Sequence, residues 1–503
     1  MIATMQGAYW LTRFLFLRLL GVVFVAAFVS LLVQLGPLLG SQGLLPVQTF
    51  LTQARTAIPN PVACWTTLPT LFWFNSSDVF LYLLAGVGLA LSLLLLAGWA
   101  NGLLLTILWV IYLSFNHVGQ IFYGYGWEIM LLEGCFLAIF WVPWLDARPF
   151  PSSPPSRIIR WCFWWLIFRV MFGAGLIKLR GDPCWWDLTC LFYHFETQPI
   201  PNPISWYFHQ LPPLLLKAGV LWNHLVELVA PWCFLGPRRL RLVAAWLLIS
   251  FQIFLIISGN LSFLNWLTIA LCIPLLDDQA LARLLPARWR RAEVQAAAAA
   301  QPASRPRRMV IGAVAALLAL LSIAPIRNML SPRQIMNTSF DPLHLMNTYG
   351  AFGSVGKVRR EIILEGTRDA QLGPETRWQA YGFWAKPGDI HRRPAIIAPF
   401  QPRLDWQIWF AAMSTIEQEP WLVHLIAKLL ENDRGVLRLL ANNPFPEGPP
   451  TYLRADLYEY HFTRFGDPPG TWWIRRRLGP YVRPVSRDDP QLRRYLQAYG
   501  LAD

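Results

Sequence analysis

Charged residues are scarce in this chain. They make up 14% of its 503 residues, whereas soluble domains carry about 25%. Apolar residues reach 55% and aromatic residues 14%, so the composition indicates a membrane protein with several spans. Acidic residues are fewer than basic ones, which gives a net charge of +14. We do not read this charge as nucleic-acid binding, because much of the basic excess stands between hydrophobic segments.

Signature motifs of enzymes and metal sites are also lacking. The chain has no GxSxG, Walker loop, HExxH or strand-associated GxGxxG motif, so it lacks any self-sufficient hydrolase signature. Asn223, His224 and Glu227 would share one helical face, but a metal site needs more ligands than these, and we predict none. His194 and Glu196 alternate in a loop and could form an acid–base pair, although their aromatic neighbours favour a structural role.

Hydrophobic runs predict seven to nine membrane spans within residues 1–325. Arg13 and Arg18 precede the first run. Several of the others are shorter than the roughly 20 residues that an isolated span needs. The predicted spans are Leu19–Leu39, Val79–Ala97, Trp99–Phe115, Ile129–Trp144, Trp161–Leu179, Leu214–Phe234, Leu240–Ser258, Phe263–Leu276 and Met309–Ala324.

The charges of the connecting loops predict the orientation of these spans. Basic clusters follow the fourth, sixth and eighth spans, whereas the opposite loops hold almost no Lys or Arg. Under the positive-inside rule, the N-terminus and the basic linker 277–308 are cytoplasmic. The loop 181–213 and everything after Pro325 are then exoplasmic. An amphipathic segment, LLPVQTFLTQARTAI, is too polar to span and is predicted to lie on the membrane surface.

The remaining residues, 326–503, have a different character. Segments rich in β-branched and aromatic residues, separated by Gly and Pro, predict antiparallel strands at VRREIILEG, WQAYGFWA, YLRADLYEYHFTRF and TWWIRRRL. PWLVHLIAKLLEND predicts one amphipathic helix among them. The predicted fold class is therefore an α-helical multi-pass membrane bundle with a C-terminal β-rich (α+β) exoplasmic domain. We expect this tail to rest on the bundle.

The seven cysteines are an odd number, so at least one is unpaired within a monomer. Cys184 and Cys190 lie in the same predicted exoplasmic loop, where disulfides persist, and are the best candidates for a bond. Free thiols, or a bond to Cys64, remain alternatives. The spacing is not that of a redox CxxC motif or of a zinc site.

Ionisable residues inside the predicted spans are expensive to bury and are therefore candidates for function. Lys178 shares a helix with Arg169, while Glu128, Glu133 and Glu227 lie in or beside neighbouring spans. Ion pairs that fix the helix packing are one interpretation. The alternative is that Lys178 is a general base near an exoplasmic pocket, assisted by Glu133, Glu227 or His194.

Several long segments resemble the lipase maturation factor family. They are WLTRFLFLRLLGVVFVAAFVSLLVQLGPLLGSQGLLP, FGAGLIKLRGDPCWWDLTCLFYHFETQPIPNPISWYFHQLP, SGNLSFLNWLT and AYGFWAKPGDIHRRPAIIAPFQPRLDWQIWFAA. The resemblance implies a multi-pass membrane protein, in eukaryotes of the endoplasmic reticulum, that helps secreted lipases of the lipoprotein lipase kind to fold and assemble. It implies a maturation factor rather than an enzyme, and a role in lumenal redox balance. A bacterial member would lie in the plasma membrane.

A more distant similarity concerns the block AGLIKL with its following tryptophans. It is similar to the membrane domain of vitamin K-dependent carboxylases, a helical class shared with DoxX-type proteins. That similarity implies a base at Lys178 acting on reduced vitamin K or another quinone-like lipid. The neighbouring Arg180, Gly181, Asp182 and cysteine loop depart from the carboxylase pattern, which puts this chemistry in doubt.

The function expected from the sequence is a chaperone-like assembly factor for exported lipases or related proteins, with no cofactor. Aromatic and arginine side chains are the usual anchors of interfaces, and each could equally be a residue of the membrane-interface belt. The two alternatives are a carboxylase-like enzyme using Lys178 and a quinone-coupled thiol redox protein. Membrane lipid and an exported client are the expected partners. Candidate client contacts are Trp185, Trp186, Phe192, Tyr193, Trp206, Arg403, Trp406 and Trp409.

Overall fold

The computed structural model describes residues 9–58 and 60–501. Within them, six helices are long and apolar enough to cross a membrane, and a four-stranded antiparallel sheet follows near the C-terminus. The predicted fold class is confirmed. The six candidate spans are Trp10–Leu39, Asp78–Ala97, Arg157–Gly181, Pro213–Leu235, Arg238–Ser258 and Arg305–Leu330.

The first helix begins at Trp10, nine residues before the predicted start of its span. The extension is possible because Arg13 is buried with partners: its guanidinium donates to the carbonyls of Trp141 and Ser153. Three other predicted spans are helical but short, namely Gly102–Val118, Gly126–Trp141 and Leu264–Cys272. At 1.5 Å per residue the 17 residues of the longest reach about 25 Å, less than a bilayer core of about 30 Å. The span count of seven to nine stays a prediction.

The helices of the N-terminal part are labelled in chain order. The predicted surface helix is α2, Val47–Ala57, and the basic linker contains the helix α14, Ala287–Ala298. The helices of this part are α1 Trp10–Leu39, α2 Val47–Ala57, α3 Pro61–Thr67, α4 Asp78–Ala97, α5 Gly102–Val118, α6 Gly126–Trp141, α7 Arg157–Gly181, α8 Leu191–Thr197, α9 Pro203–His209, α10 Pro213–His224, α11 Arg238–Ser258, α12 Leu264–Cys272, α13 Asp278–Leu281, α14 Ala287–Ala298, α15 Arg305–Leu321 and α16 Ile323–Leu330.

Close packing of α1 against α4 depends on small residues. A Cβ atom added to Gly21 would lie 2.8 Å from the backbone nitrogen of Leu96. Only glycine therefore permits the backbones to approach this closely, as in many helix pairs within membranes. Phe24 and Phe28 of α1 then pack edge-on against Tyr112 of α5, with ring centroids 5.7 and 5.5 Å apart. α1 thus lies at the centre of the bundle.

The C-terminal part forms one sheet with the strand order β2-β1-β3-β4, all antiparallel. Three predicted strands are confirmed, and the predicted helix is α18. The elements are β1 Arg359–Thr367, β2 Gln379–Ala380, α17 Arg403–Ala411, α18 Pro420–Leu430, α19 Arg434–Leu437, β3 Tyr452–Phe462, β4 Trp473–Val485 and α20 Pro490–Ala498.

The remaining predicted strand, WQAYGFWA, forms a strand only at Gln379–Ala380. Beyond them, the backbone N–H groups of Ala385 and Lys386 donate to Oδ1 of Asp405, at 2.6 and 2.9 Å. A backbone that donates to a carboxylate in this way cannot pair with a neighbouring strand. Tyr381 still donates its backbone N–H to the carbonyl of Leu364 at 2.9 Å, and Phe383 forms an isolated bridge with Leu440, but the segment does not continue along β1.

α17 docks the tail onto the bundle. Nη2 of Arg403 lies 2.9 Å from Oε1 of Glu128 on α6, and both side chains are fully buried. The Oη of Tyr112 donates to the same carboxylate. Trp406 packs edge-on against Tyr125 and Trp127, with ring centroids 5.6 and 5.2 Å apart. The tail rests on the bundle through buried contacts, as the sequence predicted in outline.

Replacing Arg403 should loosen this junction. Arg403→Met keeps much of the volume but leaves the Glu128 carboxylate buried without its cation, which costs about 3–5 kcal/mol. We expect a clear fall in the thermal transition of the detergent-solubilised protein, measured by intrinsic fluorescence. The matched control is Arg476→Met, which removes an exposed pair with Glu459 worth at most about 1 kcal/mol. Equal effects of the two substitutions would contradict a structural role for the buried pair.

Candidate functional site

The loop 181–213 folds into short helical turns held by local caps. Asp182 begins it: its Oδ1 accepts from the backbone N–H of Cys184 at 2.9 Å, and its Oδ2 accepts from that of Val355 at 3.3 Å. Cys184 and Cys190 form a disulfide, and both are buried. Asn202 and Ser205 form a reciprocal capping box at the start of α9. The loop is thus an ordered element.

Beneath the loop, Lys178 is held by three acceptors. Its Nζ lies 2.5 and 2.6 Å from the two oxygens of Glu227 and 3.2 Å from Oδ1 of Asn223. Glu227 stands in a π-helical turn, Leu225–Val229, that continues α10. A lysine ammonium has three donors and no acceptor, so these contacts satisfy the charged form completely. The arrangement matches the ion-pair interpretation of Lys178.

Glu133, which the sequence grouped with Lys178, lies in a separate cluster. It pairs with Arg169, and its Oε2 accepts from the Oη of Tyr349 at 2.7 Å and from Nδ2 of Asn347 at 3.0 Å. Nη1 of Arg169 also donates to the carbonyl of Asn347 at 2.7 Å. The structure therefore divides the buried charges of the bundle into distinct pairs, and does not gather them around Lys178.

His194 and Glu196 are neighbours in sequence but have different partners. The His194 ring packs edge-on against Phe352, with centroids 4.6 Å apart. Burial and the charge of Lys178 lower the pKa of His194 to about 4, so its imidazole is neutral at physiological pH. The Glu196 carboxylate faces β3, where its Oε2 accepts from the backbone N–H of Phe462 at 3.0 Å and its Oε1 lies 3.3 Å from Nδ1 of His461.

Arg359 joins the loop to the tail. It is fully buried and pairs with Glu361, and it donates to the backbone carbonyls of Glu196, Gln198 and Pro199 at 2.5 to 2.9 Å. A guanidinium offers five donors in a fixed geometry, so this single side chain fixes three backbone carbonyls within residues 196–199. We refer to residues 181–213 together with β1 and the whole hairpin 452–485, which comprises β3, β4 and their connection, as the loop–tail unit.

The predicted client contacts differ in their exposure. Arg403, Trp406 and Trp185 are buried by the protein itself, whereas Trp186 is 67% exposed. The Nε1 of Trp186 donates to the carbonyl of Leu179 at 2.8 Å, which fixes the ring in this exposed position. The half-buried candidates are Phe192, Tyr193, Trp206 and Trp409.

The sequence analysis selected Trp206 but missed the three aromatic residues that surround it. Trp206 lies beside Tyr207, Phe465 and Trp472, with ring centroids 5.0, 4.9 and 6.0 Å away. Tyr207 and Phe465 are 51% and 69% exposed. We name these four residues the aromatic cluster. Two belong to α9 and two to the β3–β4 connection, so no local spacing in the sequence could have brought them together.

Within the described residues, no group of three or more His, Cys, Asp or Glu side chains is placed to hold a metal ion. His224, which might have contributed to such a site, instead lies with its Nε2 3.0 Å from the carbonyl of Trp185. Asn223 and Glu227 are engaged with Lys178. Asn223 and Glu227 therefore hold the Lys178 side chain, while His224 contacts the backbone of the loop.

The apolar helices, buried ion pairs and docked sheet define an integral multi-pass membrane protein with a β-rich C-terminal part. Residues 11–283 match the lipase maturation factor transmembrane domain, and residues 345–483 match the lipase maturation factor C-terminal domain. The chain belongs to the lipase maturation factor family. No solved structure gives a significant match to it.

Individual relatives match over nearly the whole chain. Lipase maturation factor 1 of Bos taurus is 45% identical over 96% of this chain and 90% of its own length. The Homo sapiens protein of the same name is 42% identical over 98% and 91%. Lipase maturation factor 2 of Xenopus laevis is 33% identical over 99% and 85%.

The buried, neutral His194 predicts acid sensitivity. In the unfolded chain His194 takes up a proton near pH 6.5, and in the folded chain only near pH 4. The contribution of the neutral His194 to the free energy of unfolding is therefore fully present above about pH 6.5 and is lost as the pH falls from 6.5 to 4. Between pH 7 and pH 5 this group should lower the free energy of unfolding by about 2 kcal/mol. His194→Phe should abolish this part of the loss, measured as the difference in thermal transition between the two pH values.

His461 provides a control of opposite sign. Burial lowers the pKa of His461, but hydrogen bonds and the charges of Glu459 and Glu196 outweigh burial and raise it. Its contribution to stability is therefore present at low pH and lost as the pH rises through the raised value. His461→Gln should make the protein more acid-sensitive, not less. A His194→Phe protein with the acid sensitivity of the unmodified chain would refute the buried neutral state.

Proposed function

We propose that this protein is a membrane maturation factor whose loop–tail unit binds partly folded lipases on the exoplasmic side and assists their assembly. The names of its relatives, lipase maturation factors 1 and 2, support a lipase as the client. The observation that carries the binding role is the aromatic cluster, an exposed apolar patch on a rigidly held support. In a eukaryotic cell the exoplasmic side would be the lumen of the endoplasmic reticulum.

The orientation rests on the loop charges. Arg148, Arg238, Arg239 and the arginines of 277–308 lie at one end of the helices, while the loop 181–213 follows the opposite end of α7. Under the positive-inside rule, the loop–tail unit is then exoplasmic. This is the compartment through which secreted enzymes pass, so the proposed client and the proposed site meet there.

The chemistry of the cluster suits an unfinished client. A lipase that lacks its final packing exposes apolar surface, and large aromatic side chains gain much from covering such surface. Tyr207 and Phe465 already protrude, while Trp206 is fixed by donating from its Nε1 to the Oγ1 of Thr463 at 3.1 Å. Because Trp206 is already held in place, it loses little side-chain entropy on association.

The observations do not favour either alternative activity. A base at Lys178 would need a free amine, but its three acceptors match the ammonium form. A thiol redox role would need an accessible disulfide, but Cys184 and Cys190 are 4% and 0% exposed. We therefore propose binding, not chemistry, as the activity of the loop–tail unit.

Orientation is tested by labelling intact cells that carry the protein in the plasma membrane. Thr451 and Ala299 are both exposed, one in the tail and the other in the basic linker. We expect Thr451→Cys to react with a membrane-impermeant maleimide from the exoplasmic side, and Ala299→Cys to react only after the membrane is opened. The unmodified protein serves as the background for its native thiols. Labelling of Ala299→Cys alone would invert the topology and rule out the proposed site.

The binding role is tested with a client. A secreted lipase is expressed in cells lacking maturation factors, together with this protein carrying Tyr207→Ser and Phe465→Ser. Because interface anchors are worth more than 1 kcal/mol each, we expect secreted lipase activity to fall about tenfold with the amount of maturation factor unchanged. Trp384→Ser is the control, since Trp384 is 52% exposed but lies outside the cluster. Full activity of the double variant would refute the proposed site.

A further inference from the structure

Strand β4 forms an open edge of the tail sheet. Within the described residues it pairs with β3 and with no other strand. Residues 474–478 are all exposed. Exposed edge strands present unpaired N–H and C=O groups, which are a ready template for pairing with another chain. The edge of β4 is therefore a potential docking site.

The backbone direction identifies the residues that present these groups. The N–H of Trp473 donates to the carbonyl of Ile390, a residue outside the sheet, at 3.2 Å, so Trp473 points away from β3. In an antiparallel pair this direction alternates from one residue to the next, and the register with β3 is regular from Trp473 to Arg477. Arg475 and Arg477 therefore present their N–H and C=O groups at the edge.

Both ends of this free edge are closed. Ile390 covers it at Trp473. At the other end the register is irregular between Leu457 and Tyr458 of β3, and Pro480 of β4 has no N–H to donate. The open part of the edge is therefore residues 474–478, a length that suits a short strand.

Three consecutive arginines, Arg475, Arg476 and Arg477, stand on the open part of the edge. Nη2 of Arg476 lies 2.6 Å from a carboxylate oxygen of Glu459, and Nη2 of Arg477 lies 2.7 Å from one of Asp456. The two arginine side chains are nevertheless 76% and 51% exposed, so each still has N–H groups to offer. Two carboxylates for three arginines leave a net positive charge along the edge.

Arg475 has neutral partners, and apolar residues stand on either side of the three arginines. Nη1 of Arg475 donates to the Oη of Tyr460 at 3.2 Å and to the carbonyl of Gly388 at 3.3 Å. Ile474 and Leu478 are 54% and 42% exposed. The open part of the edge thus presents a positive centre between two apolar side chains.

The single sign of these charges decides which strand can pair here. Charged side chains on an edge strand normally prevent pairing, and like charges directly opposite each other destabilise a sheet. A second copy of β4 would place arginine opposite arginine and is therefore disfavoured. A strand that carries carboxylates is favoured instead, because arginine binds a carboxylate through two parallel hydrogen bonds.

We propose that residues 474–478 bind an extended acidic segment of the partly folded client, which joins the sheet as a further strand beside β4. This inference rests on the proposed function and names the chemistry of the segment that is bound. The backbone of Arg475 and Arg477 supplies the hydrogen bonds between the strands, and the guanidinium groups select carboxylates. A client segment of this kind is free only before its own sheet has formed, so a finished client is released.

The test uses the purified full-length protein in phosphatidylcholine nanodiscs and a short fluorescein-labelled peptide, in which three glutamates are flanked on both sides by valine and threonine. We expect saturable binding, measured by fluorescence anisotropy. A peptide with glutamines in place of the glutamates should bind at least about threefold more weakly, because it loses the cross-strand charge pairs. A peptide that is N-methylated at the three glutamates should lose binding altogether, because its backbone cannot donate to the edge.

A substitution in the protein locates the binding. Arg475→Glu should weaken binding of the acidic peptide at least about threefold. The matched control, Arg368→Glu, should leave it unchanged, since Arg368 is exposed just beyond β1 and β3 separates β1 from β4. Equal weakening by both variants would show a general charge effect and overturn the site. The assay contains no lipase, so its outcome is independent of the secretion test on the aromatic cluster.

Other results with the unmodified protein would also overturn the proposal. Equal binding of the glutamine peptide or of the N-methylated peptide would show that charge or strand pairing is not needed. Stronger displacement by dextran sulfate than by unlabelled peptide, at equal concentrations of negative charge, would indicate a polyanion as the ligand. A dimer that the peptide dissociates, detected by sedimentation, would assign the edge to a second copy of the chain.

Discussion

The structure depends on the pairing of Glu128, Glu133 and Glu227, the glutamates buried within the bundle, with cations. An unpaired ion in such surroundings costs several kcal/mol even after relaxation. Lys178 and Glu227 satisfy each other within the bundle. Glu128 does not find its cation there. Its partner is Arg403, which belongs to the C-terminal part of the chain.

This pairing makes the bundle and the tail depend on each other. Glu133 has Arg169 within the bundle, yet Asn347 and Tyr349 supply two of its hydrogen bonds from the later segment. The predicted boundary between 1–325 and 326–503 therefore divides the sequence but not the stabilising contacts, since the partners of Glu128 and Glu133 lie beyond it. A bundle that lacked the tail would leave Glu128 with only the hydroxyl of Tyr112. Docking of α17 completes the bundle.

The sequence revealed that buried charges exist but not how they pair. Helical position and hydrophobic context sufficed to select Lys178, Arg169, Glu133 and Glu227, because ionisable residues are rare in spans. Which carboxylate meets which cation depends on helix packing, and Glu133 lies with Arg169 instead of Lys178. Arg403 and Trp406 were predicted as client contacts because aromatic and arginine side chains are the usual anchors of interfaces. Only the docked position of α17 shows that both are buried.

The aromatic cluster could not be predicted from the sequence either, because docking brings its residues together from two distant segments. Trp206 and Tyr207 come from the loop, while Phe465 and Trp472 come from the tail. Arg359 holds the two segments together through loop carbonyls. The patch therefore exists only when the tail has docked on the loop. The proposed client-binding surface is therefore complete only after loop and tail have folded together, and before that stage the exposed apolar residues of both segments favour aggregation.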